Sequence, residues 1–513
     1  MQATLVVHWS LRPHGSPVPR VDMAYRRCGR PFHKSCNALM TRGFSFGQIR
    51  GVERFSAVSA AASEGHELIE WVVKHGGSVQ GVVIHSWQGK DGGSGYGLKA
   101  DRDIKAGEEL IVLPRGIQLQ QDRNDPASLK QMMDRIPEEL WGAKLALKLL
   151  YERLRGDEGH FWPYIENLPV GFVGLPLFFD QKTIEALEYP PVSSQVIKRC
   201  RWLIQFAKNE LKKEGDANPF HGTQIDANSL GWAFAAVTSR AFRPGGPKSA
   251  GVLLPLIDMC NHSFSPNAKV IGSKAGNKND SLFMVAMRDI AADEPIMLSY
   301  GNLPNDFLLL DYGFIIEENP YDTVKLSFDV GFVEGAKAVA NVGSLVDDES
   351  ETIKVIPWKQ KMLENLGLHI DKEVSIIWCD KNESPVDARL LAGVRVLCAT
   401  KESECKSHDL GNWNEDIRNK AWELSSLKTL MGMCIIALSQ FTTSSAQDVD
   451  LIKEHDGDYA LALRLRKEKK ALISQAIERI KERITKVQGG DKSESKQKKS
   501  KKNSSNKGFG ANK

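Results

Sequence analysis

A chain of 513 residues, 42% of them hydrophobic and 26% charged, can bury more than one core, so two or three domains are expected. No run approaches the ~18 consecutive apolar residues of a membrane span, so no transmembrane segment and no membrane partner are predicted. The net charge of +4 hides an uneven distribution: residues 1–57 and 486–513 carry +7 each and leave about −10 between them, which suits a basic protein partner better than a nucleic-acid backbone.

Eight cysteines are scattered without a CxxC pair, which excludes a disulfide framework and a zinc-ligand set; no metal is expected. Residues 1–57 are Arg-rich and acid-poor, end near FSAVSAAAS and lack the single apolar block of a secretory signal. They resemble an organelle transit peptide. The chloroplast stroma is the expected destination, with the mitochondrion, or a plain disordered extension, as the alternative.

From Glu64 the apolar residues Leu68, Ile69, Val72 and Val73 recur at helical spacing until His75-Gly76-Gly77. Short strands are expected next: GVVIHSWQ, then Tyr96–Ala100 and Glu108–Val112, with Lys105–Glu108 as a hairpin turn joining the last two. The Gly95-Tyr96-Gly97 bend follows no Rossmann strand and opens no helix, so it is no dinucleotide fingerprint; it can let a ligand approach the backbone. From about 126 to 250 the pattern turns helical, in LALKLLYERLRG, a rigid turn at Trp162-Pro163-Tyr164-Ile165, a long amphipathic SSQVIKRCRWLIQFAKNELKKEG and the apolar LGWAFAAVTSRAFRPG. The last of these carries Ser239-Arg240-Ala241-Phe242 to the central stretch, where Arg240 reads as an ion-pair anchor or a carboxylate ligand.

That stretch, Leu253 to Phe314, sets Asn261, His262, Tyr300 and Tyr312 among apolar residues, and half-buried polar groups there need partners. Each alone reads as a turn cap or a core tyrosine; together they read as a binding site. Beyond it come a short strand in TVKLSFDV and three helices, in WKQKMLENLGL, NEDIRNKAWELSSLKTLMGMCIIALSQF and DYALALRLRKEKKALISQAIERIKERI. The Lys-rich 486–513 reads as a disordered tail, the single place where a nucleic-acid contact is plausible.

SGYG, SRAF, DMCNHSFSPNA and SYGNLPNDFLLLDYGF, in this order and with a helical insert after the first, resemble the SET-domain protein methyltransferases, in particular the plant Rubisco large-subunit lysine methyltransferase branch. The resemblance implies an α+β SET fold of short sheets with a pseudoknot over 64–316, with its insert at about 126–250. A mainly helical substrate-binding domain over 325–485 would follow. Separately from the resemblance, a monomer is expected. The resemblance also implies that backbone at Ser94, Gly95 and Tyr96, with Arg240, Asn261, His262 and Phe314, holds S-adenosylmethionine. Tyr300 is then the catalytic tyrosine, and Ser239, Phe242, Asp258 and Tyr312 shape the channel for a substrate lysine of a non-histone, plastid protein. Phe264 stands where many histone-directed members have cysteine, and no cysteine cluster follows Phe314. No tyrosine lies between Asp258 and Tyr300, and Pro244 replaces an arginine of the Rubisco-type enzymes, which leaves the substrate open.

Methyl transfer to an amine is an in-line displacement that needs the amine unprotonated. Only about one free lysine in a few hundred is neutral at pH ~8, so an apolar channel that disfavours the ammonium form is part of the expected chemistry. Two rival readings stand beside it, a non-catalytic SET-fold binding module in the plastid and a protein-histidine methyltransferase.

Overall fold

The computed structural model describes residues 61–504, apart from 89–93, 213–214, 216–217, 221–222, 224, 245, 247–248, 273–279, 329, 343–354, 369–374 and 378–383. The expected leader, 1–57, lies outside the described residues. The chain forms two compact units. The first comprises the residues up to Ala186, Val192–Ile315 and Asp456–Ala462; the second comprises Leu187–Pro191, Ile316–His455 and the residues from Leu463 onward.

The first unit opens with α1 (Ala61–Lys74), which buries Leu68, Trp71 and Val72 and stops at Gly76, whose φ of +82° suits glycine. Strands β1 (Ser78–Val79), β2 (Val82–Gln88), β3 (Ser94–Ala100) and β4 (Glu109–Leu113) follow. The turn at Lys105–Glu108 is present, with Glu108 N–H donating to the Lys105 carbonyl, but it does not join paired strands. Instead β3 pairs antiparallel with β2, and β4 pairs with β1 and with the distant β7 (Leu282–Ala286), which in turn pairs with β6 (Ala268–Gly272). The hairpin expectation fails because Leu110, Ile111 and Leu113 gain burial against a non-local partner. The four-stranded sheet therefore runs β1-β4-β7-β6.

The helical insert contains α2 (Ala127–Asp134), α3 (Trp141–Leu154), α4 (Trp162–Ile165), α5 (Gln181–Ala186), α6 (Pro190–Phe206) and α7 (Ala227–Arg240). Helix α3 is buried almost all round, and its polar members are neutralised internally: Lys148 Nζ lies 2.5 Å from Asp125 and 2.7 Å from Glu152. Asp226 caps α7 by accepting from Ser229 N–H, and Gly142 of α3 packs against Phe234 and Val237 of α7. The expected rigid turn at 162–165 is a single helical turn with Pro163 in its first positions.

In the second unit β9 (Lys325–Ser327) pairs with β10 (Ser375–Ile377), and the other described elements are helices, including α8 (Val330–Val339), α9 (Pro357–Asn365), α10 (Ala388–Cys398), α11 (Lys420–Ser439) and α12 (Ser445–Glu454). Helix α11 is long and apolar enough, by length and composition, to cross a membrane, yet just over half of that window is buried. Its Glu423 forms a fully buried bidentate pair with Arg395 of α10, as in a core helix. The final helix, α13, spans Gly457–Ser504 and so runs into the Lys-rich segment 486–513. Residues 505–513 lie outside the described residues.

Candidate active site

Four segments of the first unit converge. The first is the end of α7, which places Ser239 and Arg240. Ser239 Oγ is turned back on the helix, donating to the Ala235 carbonyl at 2.8 Å. Phe242 is held in place by a backbone bridge to Val252, with N–H···O distances of 2.8 and 3.0 Å.

The second is the turn leading to Asp258. Leu256 has φ +66° and ψ −50°, and Ile257 N–H donates to the Pro255 carbonyl two residues back at 2.8 Å, a strained γ-turn. It delivers Asp258 into a site where its side chain has no exposed surface. Asp258 Oδ2 accepts from the Tyr164 hydroxyl at 2.6 Å, while Oδ1 is buried without a hydrogen bond, 3.8 Å from Arg240 Nη1. Burial pushes the carboxyl up to about 6 against the opposing pulls of Arg240 and the Tyr164 hydrogen bond.

The third and fourth segments are β5 (Asn261–His262) and β8 (Met297–Leu298), which pair in parallel although some 36 residues apart. Asn267 pins them: its amide donates to the Pro295 carbonyl at 2.8 Å and accepts from Met297 N–H at 2.7 Å, which accounts for the last residue of the NHSFSPN motif. His262 Nδ1 accepts from Tyr300 N–H at 3.1 Å, so its neutral form carries the proton on Nε2, which is buried and unpaired. Burial lowers the His262 pKa, favouring that neutral form.

Tyr300 donates its hydroxyl to the Cys260 carbonyl at 2.7 Å, and burial raises its pKa, as it does that of Tyr312. The Tyr300 ring stacks on Tyr312 (centroids 4.6 Å) and on His262 (5.1 Å), and Phe314 tilts against both His262 and Tyr312 at 6.4 and 6.3 Å. Gly313, with φ +80°, turns the chain between Tyr312 and Phe314.

Of the expected site residues, Ser239, Arg240, Phe242, Asp258, Tyr300 and Tyr312 line one cavity. Asn261, His262 and Phe314 are not on its wall; His262 and Phe314 lie behind it, against Tyr300 and Tyr312. The β3 bend joins the site through Gly97, where a Cβ would sit 3.1 Å from Asn261 Nδ2 and 3.4 Å from His85 Nε2. Ser94, Gly95 and Tyr96 precede it on the same strand, paired with Gln88, Trp87 and Ser86.

Sequence reasoning passed over four participants. Tyr164 was hidden in a turn motif. His85 faces Gly97 in the β2–β3 register, a signal visible only once the pairing is known. Arg199 of α6 donates to Asp311 Oδ1 at 2.6 Å and to the Leu310 carbonyl at 3.0 Å, fixing the segment that carries Tyr312, yet looked like one more charge on an amphipathic helix. Arg243 lies over the Trp141 ring at 5.1 Å on the cavity wall.

Comparison with known proteins places this geometry. Residues 95–301 match the SET domain model, and residues 350–473 match the model of the Rubisco LSMT substrate-binding domain. Fold and site together define a SET-domain methyltransferase. A segment that matches the Rubisco LSMT substrate-binding model follows the SET domain along the chain, the same order of domains that the sequence motifs imply.

Among its relatives are the actin-histidine N-methyltransferases of Canis lupus familiaris and Homo sapiens. Each is 26% identical over 441 residues, covering 80% of this chain and 68% and 67% of theirs. Among solved structures, the SET domain of LSMT bound to lysine and AdoHcy aligns with a TM-score of 0.62 at 16% identity, covering 83% of this chain and 92% of that one. Rubisco LSMT bound to AdoMet aligns at 0.59 and 16%, covering 83% and 93%. At these identities the structural likeness establishes the fold.

SET methyltransferases use S-adenosylmethionine, and the residues present fit it. Arg240 Nε and His262 Nε2 are buried polar atoms without partners, donors of the kind that a carboxylate and a purine nitrogen accept from. Gly97 lets Asn261 pack closely on β3, while the space beside Gly95 on the same strand is open, with nothing within 4 Å of a Cβ there.

Proposed function

We propose that this protein is an S-adenosylmethionine-dependent protein-lysine N-methyltransferase acting on a non-histone protein. The observation that carries the reading is one cavity that joins Tyr300 and Arg240 to an apolar wall of Phe242, Leu303, Phe307 and Tyr312. In this reading Arg240 holds the donor carboxylate, Asn261, His262 and Phe314 its amino and adenine portions, and the backbone at Ser94–Tyr96 the remainder. When bound, the donor supplies a methyl group on a cationic sulfonium. The chain's own residues do the rest. The apolar wall strips water from the lysine alkyl chain and disfavours its ammonium, so the amine enters neutral. Tyr300 cannot act as a base at neutral pH, because burial holds its proton and Cys260 accepts it; its oxygen is left as an acceptor that orients the amine N–H.

The actin-histidine N-methyltransferases among the relatives favour a second reading, transfer to a histidine. Against it, an imidazole needs a partner for its second nitrogen, and Phe242 and Tyr312 offer an alkyl chain better company than a ring N–H. Incubation with labelled S-adenosylmethionine and stromal extract is expected to mark a discrete protein on lysine. Mass-spectrometric mapping of the label to histidine would replace the lysine reading, and no label in any extract, together with no donor binding by calorimetry, would leave the binding-module reading. The composition of residues 1–57 supports action in the plastid: a fusion of residues 1–63 to a fluorescent protein is expected to enter chloroplasts, and import into mitochondria alone would overturn that location.

A further inference from the structure

Arg240 is held from behind by a pair of residues that do not share its task. Its Nη1 donates to the Asp258 carbonyl at 3.1 Å and lies 3.8 Å from Asp258 Oδ1, while Nε has no partner. Asp258 is gripped in turn by Tyr164, whose hydroxyl donates to Oδ2 at 2.6 Å. Tyr164 is 1% exposed, belongs to α4 of the helical insert and is not on the cavity wall.

We propose that Tyr164 and Asp258 form a buried clamp that orients Arg240 and balances its charge, making Tyr164 a positioning residue for methyl-donor binding although it does not reach the donor. The inference rests on the reading of Arg240 as the donor-carboxylate ligand. The donor brings an anionic carboxylate and a cationic sulfonium into one pocket. An Arg240 without a counter-charge attracts the first and repels the second. An ionised Asp258 cancels that repulsion, and it can ionise at full burial only with its hydrogen bond from Tyr164 and its proximity to Arg240. The other titratable groups facing it, Tyr300 and Cys260, are both held neutral by burial, so neither substitutes for the missing charge.

The sign follows. Asp258 has its pKa raised to about 6, so the clamp is charged above that pH and discharged below it. Removing the Tyr164 hydroxyl withdraws an influence that lowers this pKa, so discharge moves to higher pH.

The test is calorimetric titration of the full chain with S-adenosylmethionine from about pH 5.5 to about pH 8.5, for wild type, Tyr164→Phe and Asp258→Asn, with melting temperatures recorded alongside. His262 titrates in the same donor site, so the comparison is made between proteins at each pH. Tyr164→Phe is expected to bind like wild type at the alkaline end and to lose affinity about one pH unit earlier on acidification, giving about tenfold weaker binding in between. Asp258→Asn is expected to bind weakly throughout, with no inflection from residue 258. Because the asparagine still accepts the Tyr164 hydroxyl, it also serves if Tyr164→Phe does not fold. Superimposable titrations of Tyr164→Phe and wild type, or wild-type affinity in Asp258→Asn, overturn the clamp. Failure of the wild type to bind at any pH overturns the donor-site reading instead.

Discussion

Tyr300→Phe is expected to slow methyl transfer by at least about a hundredfold, roughly 3 kcal/mol of barrier, while leaving donor affinity close to wild type. The phenylalanine keeps the ring that stacks on Tyr312 and His262, so the surrounding walls stay in place. What goes is the hydroxyl, whose proton is committed to the Cys260 carbonyl and whose oxygen, in the lysine reading, orients the acceptor amine. A group engaged chiefly as the amine and methyl align is read in the turnover number rather than in KM. The fold should lose only about 1 kcal/mol, the cost of leaving the Cys260 carbonyl without its partner. Single-turnover kinetics with saturating donor make the measurement; a rate within a few-fold of wild type would remove Tyr300 from the chemistry.

Gly174→Ala is expected to be the most damaging single-methyl change in the first unit. Gly174 has φ +84°, and a Cβ there would stand 2.1 Å from the Gly313 carbonyl oxygen; a Cβ on Gly313 would meet the Gly174 backbone at 3.0 Å. The obstacle is main chain on both sides, so no rotamer change relieves it, and a loss of about 4 kcal/mol or more is expected. Because Gly313 lies between Tyr312 and Phe314, displacement there also opens the stacked aromatic series, so donor binding should fall with stability. Chemical denaturation is the check, with Gly116→Ala as control, since a Cβ at Gly116 meets nothing within 4 Å. Equal stability of Gly174→Ala and wild type would refute the backbone contact.

Much of the site was legible in the sequence because its polar residues interrupt apolar stretches, and burial makes each of them need a partner. Amphipathic helices such as α1 and α6 were legible because their apolar residues recur at helical spacing. Strand partners were not. A turn signal at Lys105–Glu108 says that the chain reverses, not which strand lies alongside, and β4 takes β7 from some 170 residues away. Tyr164 was read only as part of a rigid turn, because nothing local distinguishes a packed tyrosine from one that holds a carboxylate. Leu256 carries no signal for a left-handed conformation at all; its geometry is imposed by burial of Leu254 and Ile257 on either side.

The membership of Asp456–Ala462 in the first unit has a consequence for biosynthesis. Asp458 accepts from Gly174 N–H at 2.8 Å, and Tyr459 lies under Lys182 at 4.7 Å, so the loop that buttresses Gly313 is secured by residues made 284 positions later. A chain released after residue 316 would contain every motif of the SET region and still have that backbone amide unsatisfied. The unit that begins first is thus completed only once residues 456–462 have been made, and the backbone behind its aromatic wall gains that support late.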